Sequence, residues 1–143
     1  MTDLDPHPAH DVYRAWFAAL EAGDVEAAIA VLTNEVVMEN PGGTVHSGRT
    51  QVADALGPFL RDYMERVQWE LTVVGTRRDE VAVRVRETTT IRARAGGPSM
   101  KASGWHTGRV RLESDGVWRI AHDVGTIDGA PVTLDEHEFD LPV

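Results

Sequence analysis

The chain contains no cysteine, and its 143 residues include a single lysine. Without cysteine, disulfide bonds, thiolate chemistry and cysteine-ligated zinc are excluded. No apolar run approaches the roughly 20 residues that a membrane-spanning helix needs. The acidic first residues also lack the apolar segment of a secretory signal. These absences predict a cytoplasmic protein with no membrane contact.

The charge balance restricts the kinds of partner. The formal net charge is −9, which argues against a surface that matches the phosphates of nucleic acids. A length of 143 residues, of which 42% are hydrophobic, fits one globular domain with a sizeable core. We therefore expect a neutral or cationic small molecule as the partner, and no nucleic acid.

The first half of the chain has helical periodicity. Apolar residues predict a helix from about Asp11 to Ala22, which Gly23 ends, and a second helix that Asp24 caps. A third helix is predicted after a Thr50 cap, with an interruption at Gly57-Pro58. The elements predicted here are helices at Asp11–Ala22 and Val25–Leu32, a strand through Val36, Met38 and Asn40, and a helix whose apolar stripe resumes at Phe59, Leu60, Tyr63, Met64 and Val67.

The second half has strand periodicity. Alternation predicts strands from Gln68 onward and at Val81–Arg94, Lys101–Leu112 and Val117–Ile127. Helices followed by an antiparallel meander indicate an α+β fold with the helices on one sheet face. The predicted organisation is a flexible N-terminus at residues 1–10, one domain at 11–127 and an acidic tail at 128–143.

Three segments of the sequence resemble sequences of one protein superfamily. They are "LEAGDVEAAIAVLTNEVVMENPGG", "HSGRTQVADAL" and "DGVWRIAHD", in this order and with similar spacing. Together they resemble the nuclear-transport-factor-2-like superfamily, and most closely its SnoaL-like and ketosteroid-isomerase-like branch, over roughly Asp11 to Thr126. The resemblance implies a cone-shaped, curved antiparallel sheet wrapped around the N-terminal helices. It also implies an apolar pocket at the open end of the cone and a homodimer.

The resemblance also implies which chemistry is missing. Steroid isomerases of this branch have an aspartate base where this chain has Asn40, a tyrosine where it has Trp16, and a second acid near Gly108. An amide cannot abstract an α-proton, so ketosteroid isomerase chemistry by that route is not expected. Asn40 is left with two interpretations, which are orienting a substrate and satisfying the backbone of its own turn.

Two polar residues interrupt apolar strand faces. Glu87 continues the row of Val83 and Val85, where desolvation would raise the pKa of its carboxyl into the range of a general acid or base. A bulge or a paired arginine would instead explain it structurally. His106 shares a row with Gly108 and Val110, and it is either a proton shuttle or a hydrogen-bonded core residue. The glycines beside it would leave room for a ligand.

Asp123 is the best match to the acid/base aspartate that the resemblance implies for SnoaL-like polyketide cyclases. Strand alternation leaves open whether Asp123 or His122 faces the pocket, and Asp123 could instead pair with Arg119 or Arg109. The catalytic candidates are Asp123, His106 and Glu87. The candidates for substrate binding are Asn40, Trp16, Tyr13, Met38, Phe59, Tyr63, Trp69 and His122.

The leading functional hypothesis is a cofactor-independent SnoaL-like enzyme. It would cyclise or isomerise an apolar, oxygenated molecule through an enol or enolate, with Asp123 moving the proton. No metal-ligand spacing or phosphate-binding glycine motif is present, so neither a metal nor a nucleotide is expected. The alternatives are a non-catalytic binding or assembly module of the same fold and an epoxide hydrolase. The hydrolase would need Glu87, Asp123 and Arg109 or Arg86 to converge in the cavity.

Overall fold

A computed structural model describes residues 7–129 and 132–134. It contains three helices and seven strands within these residues. In chain order they are α1 (Pro8–Ala22), α2 (Val25–Ala30), β1 (Leu32–Glu39), β2 (Val45–Ser47), α3 (Gly48–Asp62), β3 (Tyr63–Thr76), β4 (Glu80–Ala93), β5 (Ser99–Leu112), β6 (Trp118–Ile127) and β7 (Val132–Leu134). No helix among the described residues is long and apolar enough to cross a membrane.

Local signals set the ends of the first two helices. Gly23 follows α1 in the left-handed conformation, with φ 71°, and the Asp24 side chain accepts a hydrogen bond from the Ala27 N–H at the start of α2. Both agree with the sequence-based assignment. Helix α1 begins at Pro8, where a fixed φ suits the first turn. The flexible N-terminus predicted for residues 1–10 is therefore wrong for 8–10, and residues 1–6 lie outside the described part.

Helix α3 differs most from its predicted form. It begins at Gly48, so Thr50 lies inside the helix and does not cap it. It also continues through Pro58 to Asp62, and Tyr63 already begins β3. A proline removes one backbone donor at a cost of about 3 kcal/mol. Buried Val52 and Leu60 on either side of it pack into the core, which offsets that cost.

Six strands form one curved, unclosed sheet in the order β2-β1-β6-β5-β4-β3, and β7 pairs with β5 at Ser99–Lys101. Strands β3 to β6 make the predicted antiparallel meander. One pair departs from the predicted antiparallel pattern, because β1 runs parallel to β6. The short β7 lies in the predicted tail, of which residues 130–131 and 135–143 are outside the described part.

The helices cover the concave face of the sheet. The buried face of α1 contributes Val12, Tyr13, Trp16 and Phe17, which pack with inward residues of β4 and β5 such as Val83, Val85 and Val110. Burying apolar side chains in this way contributes roughly 1.5–3 kcal/mol for each large residue. The molecule is thus the α+β cone that the resemblance implied, with the core under α1.

Candidate active site

A cavity of about 470 Å³ lies between the helices and the concave face of the sheet. Its wall is mostly apolar, with a few polar groups from the turn after β1, from β2 and from the meander. The lining residues are Trp16, Phe17, Leu20, Met38, Asn40, Pro41, His46, Val52, Ala55, Leu56, Phe59, Glu65, Val67, Glu87, Thr89, Ile91, His106 and Asp123. An apolar hollow with few polar groups is typical of small-molecule sites.

A bulge in β6 turns Asp123 into this cavity. Arg109 of β5 pairs with His122, but the next residue pairs with Ile120, so Ala121 has no partner across the ladder. The extra residue shifts the alternation by one position. Ile120 and Asp123 consequently both face inward, with 0% and 3% of their surface exposed. His122 is not among the cavity-lining residues, so its predicted place at the substrate is wrong.

Four side chains form a continuous hydrogen-bonded row that ends at the cavity. The Tyr13 hydroxyl donates to Oδ2 of Asp123 at 2.7 Å. His106 lies between two carboxylates, with Nδ1 2.6 Å from Oδ1 of Asp123 and Nε2 2.8 Å from Oε1 of Glu87. The exposed side-chain fraction rises along the row from 4% for Asp123 to 20% for Glu87. Glu87 is therefore the carboxylate that a ligand reaches most easily.

The two carboxylates keep His106 protonated. Burial alone would lower the pKa of the imidazole, but the charges of Asp123 and Glu87 and their hydrogen bonds outweigh it and raise the pKa to about 10. At neutral pH both ring nitrogens therefore carry protons and both donate. Burial, followed by the charge of Asp123, holds the pKa of the Tyr13 hydroxyl well above its usual range. Tyr13 thus stays a hydrogen-bond donor.

The glycines near His106 serve the fold, and the expected role of making room for a ligand is wrong. A Cβ at position 108 would lie 2.1 Å from the hydroxyl oxygen of Tyr13, and a Cβ at 104 would lie 1.9 Å from the Thr126 carbonyl oxygen. Real Cβ atoms do not approach so closely. Gly108 therefore creates the space in which Tyr13 reaches Asp123.

We expect Gly108→Ala to destabilise the protein by about 1–3 kcal/mol, because the added methyl group overpacks the Tyr13 hydroxyl. Adding Tyr13→Phe removes the clashing oxygen. The double variant should therefore recover part of the loss in a double-mutant cycle. Urea unfolding of the wild type, the two single variants and the double variant measures it. Strictly additive losses would contradict this role of Gly108.

The predicted substrate-binding residues divide into two groups. Trp16, Met38, Asn40 and Phe59 line the cavity. The others do not: Tyr13 is fully buried behind Asp123, Tyr63 is 40% exposed and stacks on Phe59, and Trp69 packs on Phe17. Tyr63 was predicted in the helical stripe but belongs to β3, whereas Trp69 lies in the strand that was predicted from Gln68 onward.

The geometry of the Asn40 turn bears on the two interpretations of that residue. The backbone N–H of Asn40 donates to the Thr44 carbonyl, and its carbonyl accepts from the Gly43 N–H. The turn is thus closed by main-chain groups. Within the described residues, the Asn40 side chain makes no hydrogen bond and lines the cavity. This placement favours orientation of a ligand.

Two titratable lining residues were missed by sequence reasoning. His46 was assigned to a turn, but it lies on β2 and reaches the cavity. Glu65 was placed in the third helix, but it is an inward residue of β3 with 9% of its surface exposed. The signal for Glu65 was present, because the alternation of Trp69 and Leu71 extends backwards through Val67 to Glu65.

The surroundings of Glu65 destabilise the ionised form of its carboxyl group. Burial, followed by the charges of Glu87 and Glu21, raises the pKa of its carboxyl to about 7. Because this folded pKa exceeds the ordinary value of 4.5, the folded state binds more protons between pH 4.5 and 7. Stability from this group is therefore lost as the pH rises through that range.

We expect Glu65→Gln to stabilise the protein by about 2 kcal/mol at pH 8 and to change stability little at pH 4, where both side chains are uncharged. Urea unfolding at the two pH values measures the difference. Glu70→Gln is the control, because Glu70 is exposed on the same strand. A destabilised Glu65→Gln protein at pH 8 would contradict the expectation.

The arginines required for epoxide hydrolysis lie elsewhere. Arg86 pairs with Asp128 and Arg109 with Glu80, both on exposed sheet surface. No arginine is among the cavity-lining residues that the structure describes. The required convergence of two carboxylates and an arginine is therefore not formed, and Asp123 pairs with neither Arg109 nor Arg119.

An unclosed, mostly antiparallel cone with N-terminal helices over its concave face is the nuclear-transport-factor-2-like fold. The model of the SnoaL-like domain family matches residues 13–123, so the chain belongs to the SnoaL-like family. A search of curated protein sequences found no significant match.

Solved structures share the fold at low sequence identity. A ketosteroid isomerase-like protein from Erwinia carotovora atroseptica superposes with a TM-score of 0.75 and 22% identity, over 85% of this chain and 94% of that one. A type 2 hexachlorocyclohexane dehydrochlorinase superposes with a TM-score of 0.74 and 14% identity, over 88% of this chain and 86% of that one. A nuclear transport factor 2-like superfamily protein from Salmonella enterica superposes with a TM-score of 0.74 and 12% identity, over 84% of this chain and 88% of that one. At these identities the likeness concerns the fold.

Proposed function

We propose that the protein is a cofactor-independent acid–base enzyme that removes a proton from a carbon next to a carbonyl group of an apolar, oxygenated small molecule. The enol or enolate so formed would isomerise or cyclise. One observation carries the proposal: the Glu87 carboxylate faces an apolar cavity, and His106, which is itself hydrogen-bonded to Asp123, holds it there. The isomerase-like and dehydrochlorinase relatives support small-molecule chemistry in this fold.

Glu87 is the proposed base. Its Oε1 is held by His106, while Oε2 has only a 3.3 Å hydrogen bond from the Thr89 hydroxyl and is free to turn to a ligand. A carboxylate within reach of a bound substrate can act as a general base. The imidazolium of His106 fixes its position.

Asp123 has a supporting role in this scheme, which differs from the sequence-based expectation that it moves the proton. Both of its oxygens accept hydrogen bonds, from Tyr13 and from His106, and 3% of the residue is exposed. It is a positioning residue that orients His106 and balances its charge. Trp16, Met38 and Phe59 enclose the apolar body of the substrate, and Asn40 binds one of its oxygens.

A non-catalytic binding module of the same fold is the competing function. Such a module needs a cavity but no set of titratable groups within hydrogen-bond reach of one another. Here Glu87 and Asp123 both contact the same imidazole ring. A buried charged row facing an apolar cavity is expensive to maintain, which supports catalysis.

Exchange of carbon-bound hydrogen tests the proposal. The purified protein is incubated in D₂O with 2-tetralone and with a panel of smaller cyclic ketones, and loss of the α-proton signals is followed by NMR. We expect protein-dependent exchange for at least one ketone. No acceleration over buffer for any of them would contradict the proposed chemistry.

A homodimer and a cytoplasmic location complete the proposal. Analytical ultracentrifugation tests the first: a single sedimenting species of one-chain mass at micromolar concentration would overturn the dimer.

A further inference from the structure

Glu65 is a second carboxyl group on the wall of the cavity, and the row of Tyr13, Asp123, His106 and Glu87 does not include it. It is nine-tenths buried and lines the same hollow as Glu87. Unlike Glu87 and Asp123, the Glu65 side chain makes no hydrogen bond to any described residue. Its carboxyl oxygens are not among the fully enclosed, unpaired atoms of the described residues, so they are open to the cavity, where a ligand can supply the hydrogen-bond partner.

Glu65 and Glu87 lie on neighbouring strands of the same cavity wall, at different positions along the strand direction. Glu87, Thr89 and Ile91 are successive inward residues of β4, and Glu65 pairs with Ile91 from β3. Four strand residues span about 13 Å between backbones. The charge of Glu87 nevertheless acts on the Glu65 carboxyl and raises its pKa, so the two carboxyl groups of this cavity lie close enough for one molecule to contact both.

The surroundings of Glu65 raise the pKa of its carboxyl, so that about half of the molecules carry this proton at neutral pH. Burial is the largest cause, and the nearby carboxylates of Glu87 and Glu21 add to it, so that the pKa reaches about 7. A protonated carboxyl is a hydrogen-bond donor, whereas the ionised form only accepts. The other titratable side chains that line the cavity are His46, His106 and Asp123.

We propose that Glu65 is the proton donor of the site, placed to bind and protonate the substrate oxygen while Glu87 removes a proton from the adjacent carbon. This inference rests on the proposed function. The Glu87 carboxylate takes the α-proton, the C–H electron pair becomes the carbon–carbon double bond of the enol, and the carbonyl π pair takes the Glu65 proton. Glu87 is then neutral and Glu65 charged. Isomerisation reverses both transfers, with the Glu87 proton returned to a different carbon.

The charges of the wall also define the class of substrate. The described lining residues include three carboxyl groups and one imidazolium, without lysine or arginine. The wall therefore carries a negative net charge even with Glu65 protonated, and a carboxylate or phosphate on the ligand would be repelled. The substrate is an uncharged carbonyl compound that offers its oxygen as an acceptor.

Binding of 2-tetralone, an uncharged ketone, tests the donor without requiring turnover. Isothermal titration calorimetry between pH 6 and pH 8.5 should show a loss of affinity of about 3- to 10-fold, because the ionised carboxyl cannot donate to a ketone. Glu65→Gln, whose amide donates at every pH, should bind with a nearly constant affinity. Glu65→Leu should bind weakly throughout. The control Glu70→Gln should follow the wild type.

Two further measurements separate this inference from the proposed function. Glu87→Gln should slow α-proton exchange by at least about 10²-fold yet keep pH-dependent binding, with the midpoint of that binding moved to lower pH because the charge of Glu87 is gone. The anion 2-naphthoate should bind at least tenfold more weakly than 2-tetralone. A wild-type protein that does not bind 2-tetralone at pH 6, a pH profile unchanged in Glu65→Gln, or equal affinity for the anion would each overturn the inference.

Discussion

Glu87→Gln is expected to slow the exchange of ketone α-protons by about 10²- to 10⁴-fold, the range over which a positioned general base contributes. The amide has nearly the shape of the carboxylate and can still accept the hydrogen bond from His106 at 2.8 Å. It has no basic lone pair, so the proton cannot be taken from carbon. Affinity for the ketone should change much less than the rate, because the apolar wall is unchanged.

The measurement is NMR-detected exchange in D₂O, with the free energy of unfolding determined in parallel. Glu70→Gln is the matched control, since it removes an exposed carboxylate from the neighbouring strand. Exchange by Glu87→Gln within tenfold of the wild-type rate would rule out Glu87 as the base.

The stability of the wild-type protein is expected to fall by about 2–4 kcal/mol as the pH rises from 6.5 to about 10. The cause is His106, whose folded pKa of about 10 exceeds the ordinary histidine value of 6.5. Below pH 6.5 the imidazole is protonated in both states and the two ion pairs contribute fully. Above pH 10 it is neutral in both, and that contribution is lost.

His106→Gln should remove this pH dependence and cost roughly 3 kcal/mol at pH 7, since Asp123 and Glu87 are left without a cation between them. Urea unfolding between pH 6 and pH 10 measures both effects. His122→Gln, on the other face of β6, is the control and should retain the wild-type slope. An equal slope in His106→Gln and in the wild type would contradict the assignment of the charge to His106.

Sequence reasoning located elements well where the signal was local. Gly23 and Asp24 end and begin helices because their own backbone and side-chain chemistry suits those positions. The same reasoning misplaced residues 63–67, whose apolar side chains fit both a helical and a strand period. Because Glu65 lies in that segment, sequence reasoning overlooked it, although strand alternation would have predicted that it faces inward.

The candidate site could be predicted in its residue types but not in its contacts. Glu87 and His106 were found because each is a polar residue in an apolar strand row. Their hydrogen bond joins two strands, and the bond from Tyr13 to Asp123 joins residues 110 positions apart. Alternation within one strand does not report which strands are neighbours or in what register.

The sequence by itself determined the absence of thiol chemistry, the helices before the meander, the boundary between the first two helices at Gly23 and Asp24, and the apolar strand faces, because each depends on one residue or a short run. Only the tertiary structure decided which polar groups meet. Because of the bulge at Ala121, Asp123 faces the cavity and His122 does not, since a one-residue shift turns a side chain to the other face of a sheet. Curvature of the sheet then brought Glu65, Glu87 and His106 onto one cavity wall.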